Sequence, residues 1–221
     1  MEQTTSSGQE HKLGDQSSEA FIQISRERQI GALESQIREC FGRVVYAHKT
    51  HEKDGDLCAR TLRRFKLLQI IVSSVTASGT LAVIFADQLW IKLATALISL
   101  LGLFITGYMK GFDPGAAAQK HRDTAANLWI IRESYLSLLT DISSGVATLQ
   151  EATERRDQLQ AALAAIYQSA PHTTPKGYLK AQEALQKLED YTFNDGEVDK
   201  FLPPNLKRSK PANSVDKPLN S

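Results

Sequence analysis

Two uncharged runs separated by six residues constrain this chain more than any other feature. No Asp, Glu, Lys or Arg occurs in residues 67–86, and none occurs in 93–109. As helices these are about 20 and about 17 residues long, roughly 30 and 26 Å, against a bilayer hydrocarbon core of about 30 Å. The first run holds ten Leu, Ile, Val or Phe residues, each favouring insertion by about 0.3–0.6 kcal/mol at mid-membrane. Gln69, Gly79 and the serines and threonines reduce that gain. The connection, residues 87–92, is so short that the two spans must be antiparallel neighbours. Trp90 and Lys92 suit the interface beside it, and Tyr108 and Lys110 the opposite one. Two apolar helices can also form the buried hairpin of a soluble bundle, but both runs are uncharged all round, whereas a soluble helix keeps a polar face. The expected fold is all-α: a transmembrane helical hairpin with long cytoplasmic helices before and after it.

Average composition hides this, because 42% apolar residues is ordinary for a soluble protein. A net charge of +1 gives no basic face of the kind nucleic-acid binding needs, so no nucleic-acid partner is expected. The first residues carry neither a basic n-region nor an apolar h-region, so no cleaved secretory signal is expected and the hairpin itself must direct insertion. Arg60, Arg63, Arg64 and Lys66 precede the first span, and Lys110, Lys120 and Arg122 follow the second, while the connection holds only Lys92 against Asp87. The positive-inside rule therefore puts both termini in the cytoplasm, with the hairpin crossing the membrane twice. Cys40 and Cys58 are expected to be reduced thiols there.

The organisation expected along the chain has five parts. Residues 1–18, rich in Ser, Gln and Gly, read as a disordered tail. Residues 19–66 read as a helical arm, with Ile30, Leu33, Ile37, Phe41 and Val44 on one face and a break marked by Gly55. The hairpin occupies 67–109. Residues 112–190 form further cytoplasmic helices, expected to pair with the arm as a coiled coil. Asp113 as N-cap and Pro114 in the first turn start the first of these, with Thr124, Leu128, Ile131, Tyr135, Leu138 and Ile142 facing inward. Ser143, Ser144 and Gly145 interrupt it. A second helix covers 146–168, with Leu149, Ala152, Leu159, Leu163 and Ile166 on one side, and a short third carries Tyr178, Ala181, Leu185 and Leu188. Residues 195–221 read as a disordered tail.

Three constellations are candidates for function. Ser73, Ala77 and Thr80 share a face of the first span, and Thr95, Ser99, Gly102 and Thr106 share a face of the second. Small residues let helices pack closely, whereas a hydroxyl stripe in an assembly of hairpins can line a wet lumen. Both readings, pore lining and helix contact, stay open. With no charge at mid-depth, a proton relay is not expected. His48, His51, Glu52 and His121 lack the ligand spacing of a metal site, so inter-arm hydrogen bonds or ion pairs are expected there and no metal. Arg60, Arg63, Arg64, Lys66 and Lys110 form a juxtamembrane basic set able to meet lipid headgroups, though setting topology suffices as their role. There is no phosphate loop, nucleophile elbow or zinc-protease helix, so the chain is not expected to be an enzyme or to hold a cofactor.

The run YAHKTHEKDGDLCARTLRRFKLLQII, the hairpin, and then KGFDPGAAAQKHRDTAANLWIIRESYLSLLTDI resemble the SLATT domain, the SMODS and SLOG-associating two-transmembrane effector domain. The resemblance covers roughly residues 30–188. It implies a membrane-embedded effector of a bacterial defence or conflict system, thought to oligomerise, form a pore, depolarise the membrane and cause cell death or arrest. It also implies a functional partner, a synthase of a nucleotide second messenger. The family brings no catalytic motif to carry over. The alternative is a membrane-anchored interaction or scaffold module without pore activity.

Overall fold

The computed structural model describes residues 6–85, 88–193, 197–203 and 207, with side chains from residue 21 onward. Five α-helices occur in it: α1 (Ser6–Phe85), α2 (Leu89–Phe112), α3 (Pro114–Ser143), α4 (Leu149–Ser169) and α5 (Pro175–Gln186). A 3-10 turn follows at Val198–Lys200, and the described residues contain no strand. The chain is all-α, as its sequence predicts. It divides into two compact units, Met1–Gln182 and Glu183–Ser221. The hairpin and the helical bundle both belong to the first unit.

Helix α1 runs for 80 residues, about 120 Å at 1.5 Å per residue. Residues 6–18, read from the sequence as a tail, continue this helix; once a helix is nucleated, each added residue contributes a hydrogen bond without a new nucleation penalty. Most of the expected C-terminal tail lies outside the described residues. The break expected at Gly55 does not occur. Gly55 is buried in α1, and a Cβ there would lie 3.4 Å from the Ala118 carbonyl oxygen of α3. The glycine serves close helix approach, not interruption.

Helices α2 and α3 return antiparallel along α1. Thr95 packs at Gly79, Gly102 at Val72, Gly115 at Leu62 and Ala118 at Gly55, with His51 meeting His121 further along. The expected connection 87–92 is shorter than predicted, because α2 already begins at Leu89; Asp87 lies outside the described residues. A single residue separates α2 from α3. Asp113 (φ 29°, ψ 71°) ends α2, its N–H donating to the Met109 carbonyl, and its carboxylate accepts from Ala116 N at 2.9 Å to cap α3, with Pro114 following. Aspartate tolerates positive φ better than most residues, and its charge complements the N-terminus of α3.

Away from the hairpin, α1, α3 and α4 form one core. Leu33, Ile37, Cys40 and Val44 of α1 meet Leu128, Ile131, Tyr135, Leu138 and Ile142 of α3 and Ala152 and Leu159 of α4. Ile30, Phe41, Leu149, Leu163 and Ile166 pack against it half-buried. Full burial of each large side chain is worth about 1.5–3 kcal/mol, so these faces hold the bundle together within one chain. Ser144 and Gly145 close α3, Gly145 at φ 73° in the left-handed region that glycine adopts freely. Helix α4 starts three residues later than expected. Thr148 and Glu151 form a reciprocal capping box, which leaves Val146 exposed outside the helix.

Candidate functional site

The apolar ends of α1 and α2 make the hairpin. Two helices here are long and apolar enough to cross a membrane, and only 6% of each apolar window is buried within the chain. Val72 and Ile105 are the buried residues of the spans. Side chains such as Leu81, Ile84, Leu97, Leu103 and Phe104 point outward. In water such a surface would be a severe liability; facing lipid it is what a span requires.

The predicted stripe residues divide into two sets. Thr95 and Gly102 lie at the contact between the spans. A Cβ on Gly79 would come 2.8 Å from Thr95 Oγ1, and one on Gly102 would come 3.2 Å from Val72 Cγ1. Ser73, Ala77, Thr80, Ser99 and Thr106 are exposed on the hairpin surface. Of these, Ser73, Ala77, Ser99 and Thr106, together with Gly102, line a groove of about 470 Å³ whose wall also includes Gln69 and Thr76. Thr80 is not among the groove residues; its hydroxyl donates to the Thr76 carbonyl.

Hydroxyls survive in lipid when the backbone takes up their protons. Ser99 donates to the Thr95 carbonyl at 2.8 Å and Thr106 to the Gly102 carbonyl at 2.9 Å. Each bond uses the hydroxyl's one donor and leaves its lone pairs free to accept. Thr106 uses that capacity: the Gln69 amide donates to its oxygen at 3.2 Å, linking the two spans. Sequence reasoning did not single out Gln69 or Gly79 as contact residues. The signal was there, since 69, 72, 76 and 79 are spaced as one helical face.

At the mouth of the hairpin Arg60, Arg63, Arg64, Lys66 and Lys110 are all exposed, with Lys110 in the last turn of α2, where a cation complements the helix dipole. One further step into the polar bundle, His51 Nδ1 and His121 Nδ1 lie 2.9 Å apart, both rings buried. One nitrogen must donate and the other accept, so the pair is stable only while at least one ring is neutral. Burial, then the neighbouring His121, lowers the His51 pKa to about 4. Burial also lowers those of His48 and His121. His48 Nε2 lies 3.7 Å from Glu52 Oε1. The inter-arm hydrogen bond expected from the sequence is therefore between His51 and His121.

Asp54, three residues after His51, carries no signal of its own in the sequence. Its carboxylate is buried and accepts from Thr174 N at 2.9 Å and Thr174 Oγ1 at 2.5 Å. Thr174 Oγ1 in turn accepts from Gly177 N at 2.9 Å, capping α5.

A model of the SMODS and SLOG-associating 2TM effector domain family 4 (SLATT_4) matches residues 33–197. The chain belongs to this family. The match takes in the arm, the hairpin and the helices that follow. No curated protein and no solved structure gave a significant match. The SLATT name describes a two-transmembrane effector, and the exposed apolar hairpin gives it a physical form: a membrane-embedded domain associated with defence systems.

Proposed function

We propose that this SLATT protein is an oligomeric pore-forming effector whose hairpins assemble in the inner membrane, with the charged bundle and both termini in the cytoplasm. Assembly places the groove of each hairpin toward a shared lumen, ions flow, the membrane depolarises, and the cell dies or stops growing. One observation carries this reading: the exposed groove of Gln69, Ser73, Thr76, Ser99 and Thr106 in spans otherwise covered with Leu, Ile and Phe. One hairpin cannot enclose a path, so the partner is a further copy of the chain. The reading needs no catalytic step, cofactor or metal. The functional partner this reading expects is a synthase of a nucleotide second messenger.

Induced expression together with the cognate defence partners tests this with a potential-sensitive dye. Depolarisation on triggering is expected. A steady potential in cells with confirmed membrane insertion and triggering would replace the reading with the scaffold one. The scaffold reading has its own support: Trp129, Ile130 and Leu136 are exposed on α3, an apolar face suited to a protein partner.

A further inference from the structure

A cavity of about 250 Å³ opens where α1, α3 and α4 meet, lined by Cys40, Arg43, Tyr135, Gln160, Leu163 and Tyr167 among others. Its polar chemistry is one-sided. Arg43 Nη2 donates to Cys40 Sγ at 3.6 Å, and Gln160 Nε2 lies 4.0 Å from the same sulfur. The Tyr135 ring is fully buried, and its hydroxyl makes no well-formed hydrogen bond, only a weak contact with Cys40. Its pKa is pushed up to about 12, by burial first and then by the adjacent Cys40. Arg43 also pairs with Glu39 at 3.4 Å on the exposed side. Two donors, Arg43 and Gln160, thus meet one sulfur, which is a poor acceptor, while the buried Tyr135 hydroxyl beside it lacks a well-formed bond.

We propose that Cys40 is a modification site, oxidised by hydrogen peroxide to a sulfenic acid that Tyr135, Arg43 and Gln160 hold. The sulfur attacks one peroxide oxygen, an S–O bond forms and the O–O bond breaks. Sulfur loses two electrons; the departing hydroxide takes them and, with the thiol proton, leaves as water. The new oxygen accepts from Tyr135, Arg43 and Gln160, and the cavity gives it room. Cys58 supplies the contrast. It is more exposed, yet its pKa is raised, by burial first and by the Asp54 carboxylate second, which disfavours its thiolate. The assignment to Cys40 rests on the cavity and the donors around it, and it holds whether or not the hairpin conducts.

The test is to treat the full-length protein in detergent micelles with stoichiometric peroxide in the presence of dimedone, and to quantify adducts on the Cys40 and Cys58 peptides by mass spectrometry. Cys40 is expected to be trapped several-fold faster than Cys58. Tyr135→Phe deletes only a hydroxyl that makes no well-formed hydrogen bond, so it folds, and it is expected to slow trapping at Cys40 several-fold while leaving Cys58 unchanged. Arg43→Gln, at an exposed side chain, is expected to do the same. Trapping of Cys58 at an equal or faster rate overturns the proposal, as do wild-type rates at Cys40 in both variants.

Discussion

His51 and His121 share one hydrogen bond, Nδ1 to Nδ1 at 2.9 Å, between α1 and α3 in the buried part of the polar bundle. Protonating both rings removes the acceptor and sets two cations against each other. The folded-state pKa of His51 is lowered to about 4, by burial and then by His121, while in the unfolded chain it is about 6.5. The unfolded state therefore binds more protons between these values, so stability falls as pH falls. The bundle is expected to be most stable above pH ~7 and to lose about 2–3 kcal/mol on acidification toward pH ~4. The Asp54 carboxylate opposes the shift, and the lowered His48 and His121 act in the same direction as His51. Melting midpoints in micelles across this range check it, and a His51→Gln variant is expected to flatten the curve. An equally steep curve in that variant would assign the acid sensitivity to other groups.

Thr174 holds two elements at once. Its hydroxyl donates to Asp54 and accepts from Gly177 N. Thr174→Val keeps the shape and removes both bonds, leaving the buried carboxylate under-satisfied, at an expected cost of about 1–3 kcal/mol. Thr174→Ser is expected to stay near wild type. Gly177→Ala brings a different penalty, since the added Cβ would collide with the Asp54 carboxylate. Urea midpoints of the three variants test this, and equal midpoints for Thr174→Val and Thr174→Ser would count against the latch.

These two relationships also show where sequence reading stops. Inward faces such as Leu128, Ile131 and Tyr135 were legible because a soluble helix separates apolar from polar residues at a 3.6-residue period. Asp113–Pro114 was legible because capping chemistry is local. The capping box of Thr148 and Glu151 has a local mark too, its T-x-x-E spacing. Asp54 and Thr174 carry no such mark: they are 120 residues apart, and only the packed bundle brings them together. In the hairpin the difficulty is different. Where both faces are uncharged, only small residues suggest a contact, and the predicted face of Ser73, Ala77 and Thr80 is offset by about one residue from Val72, Thr76 and Gly79. One residue is about 100° around the helix, enough to turn Ser73 and Ala77 from the helix contact into the open groove.

That offset redirects the packing test. Gly79 and Gly102 sit where the spans approach most closely, so Gly79→Leu or Gly102→Leu is expected to force the backbones apart and disturb assembly. Ser73→Leu lies on the exposed face and is expected to leave the hairpin intact within the chain. Cysteine crosslinking between the spans reads this out. Unchanged crosslinks in both glycine variants would mean that close backbone approach contributes nothing.

The last prediction separates conduction from packing. Ser99 and Thr106 face the groove, whereas Thr95 is set against Gly79. Thr106→Val and Ser99→Ala remove groups that can accept a hydrogen bond from water and barely alter shape. Thr106→Val also removes the acceptor of the Gln69 amide, so Gln69→Leu must be made beside it. If the groove lines a conducting path, Ser99→Ala and Thr106→Val are expected to lower single-channel conductance while crosslinked oligomers persist. Thr95→Val is then expected to leave conductance near wild type. If the hydroxyls only join helices, Gln69→Leu and Thr106→Val will weaken oligomers and current together, and Ser99→Ala will do little. Bilayer recordings paired with crosslinking of the same preparations distinguish the outcomes. Full conductance in Ser99→Ala and Thr106→Val with intact oligomers would remove the groove from the ion path.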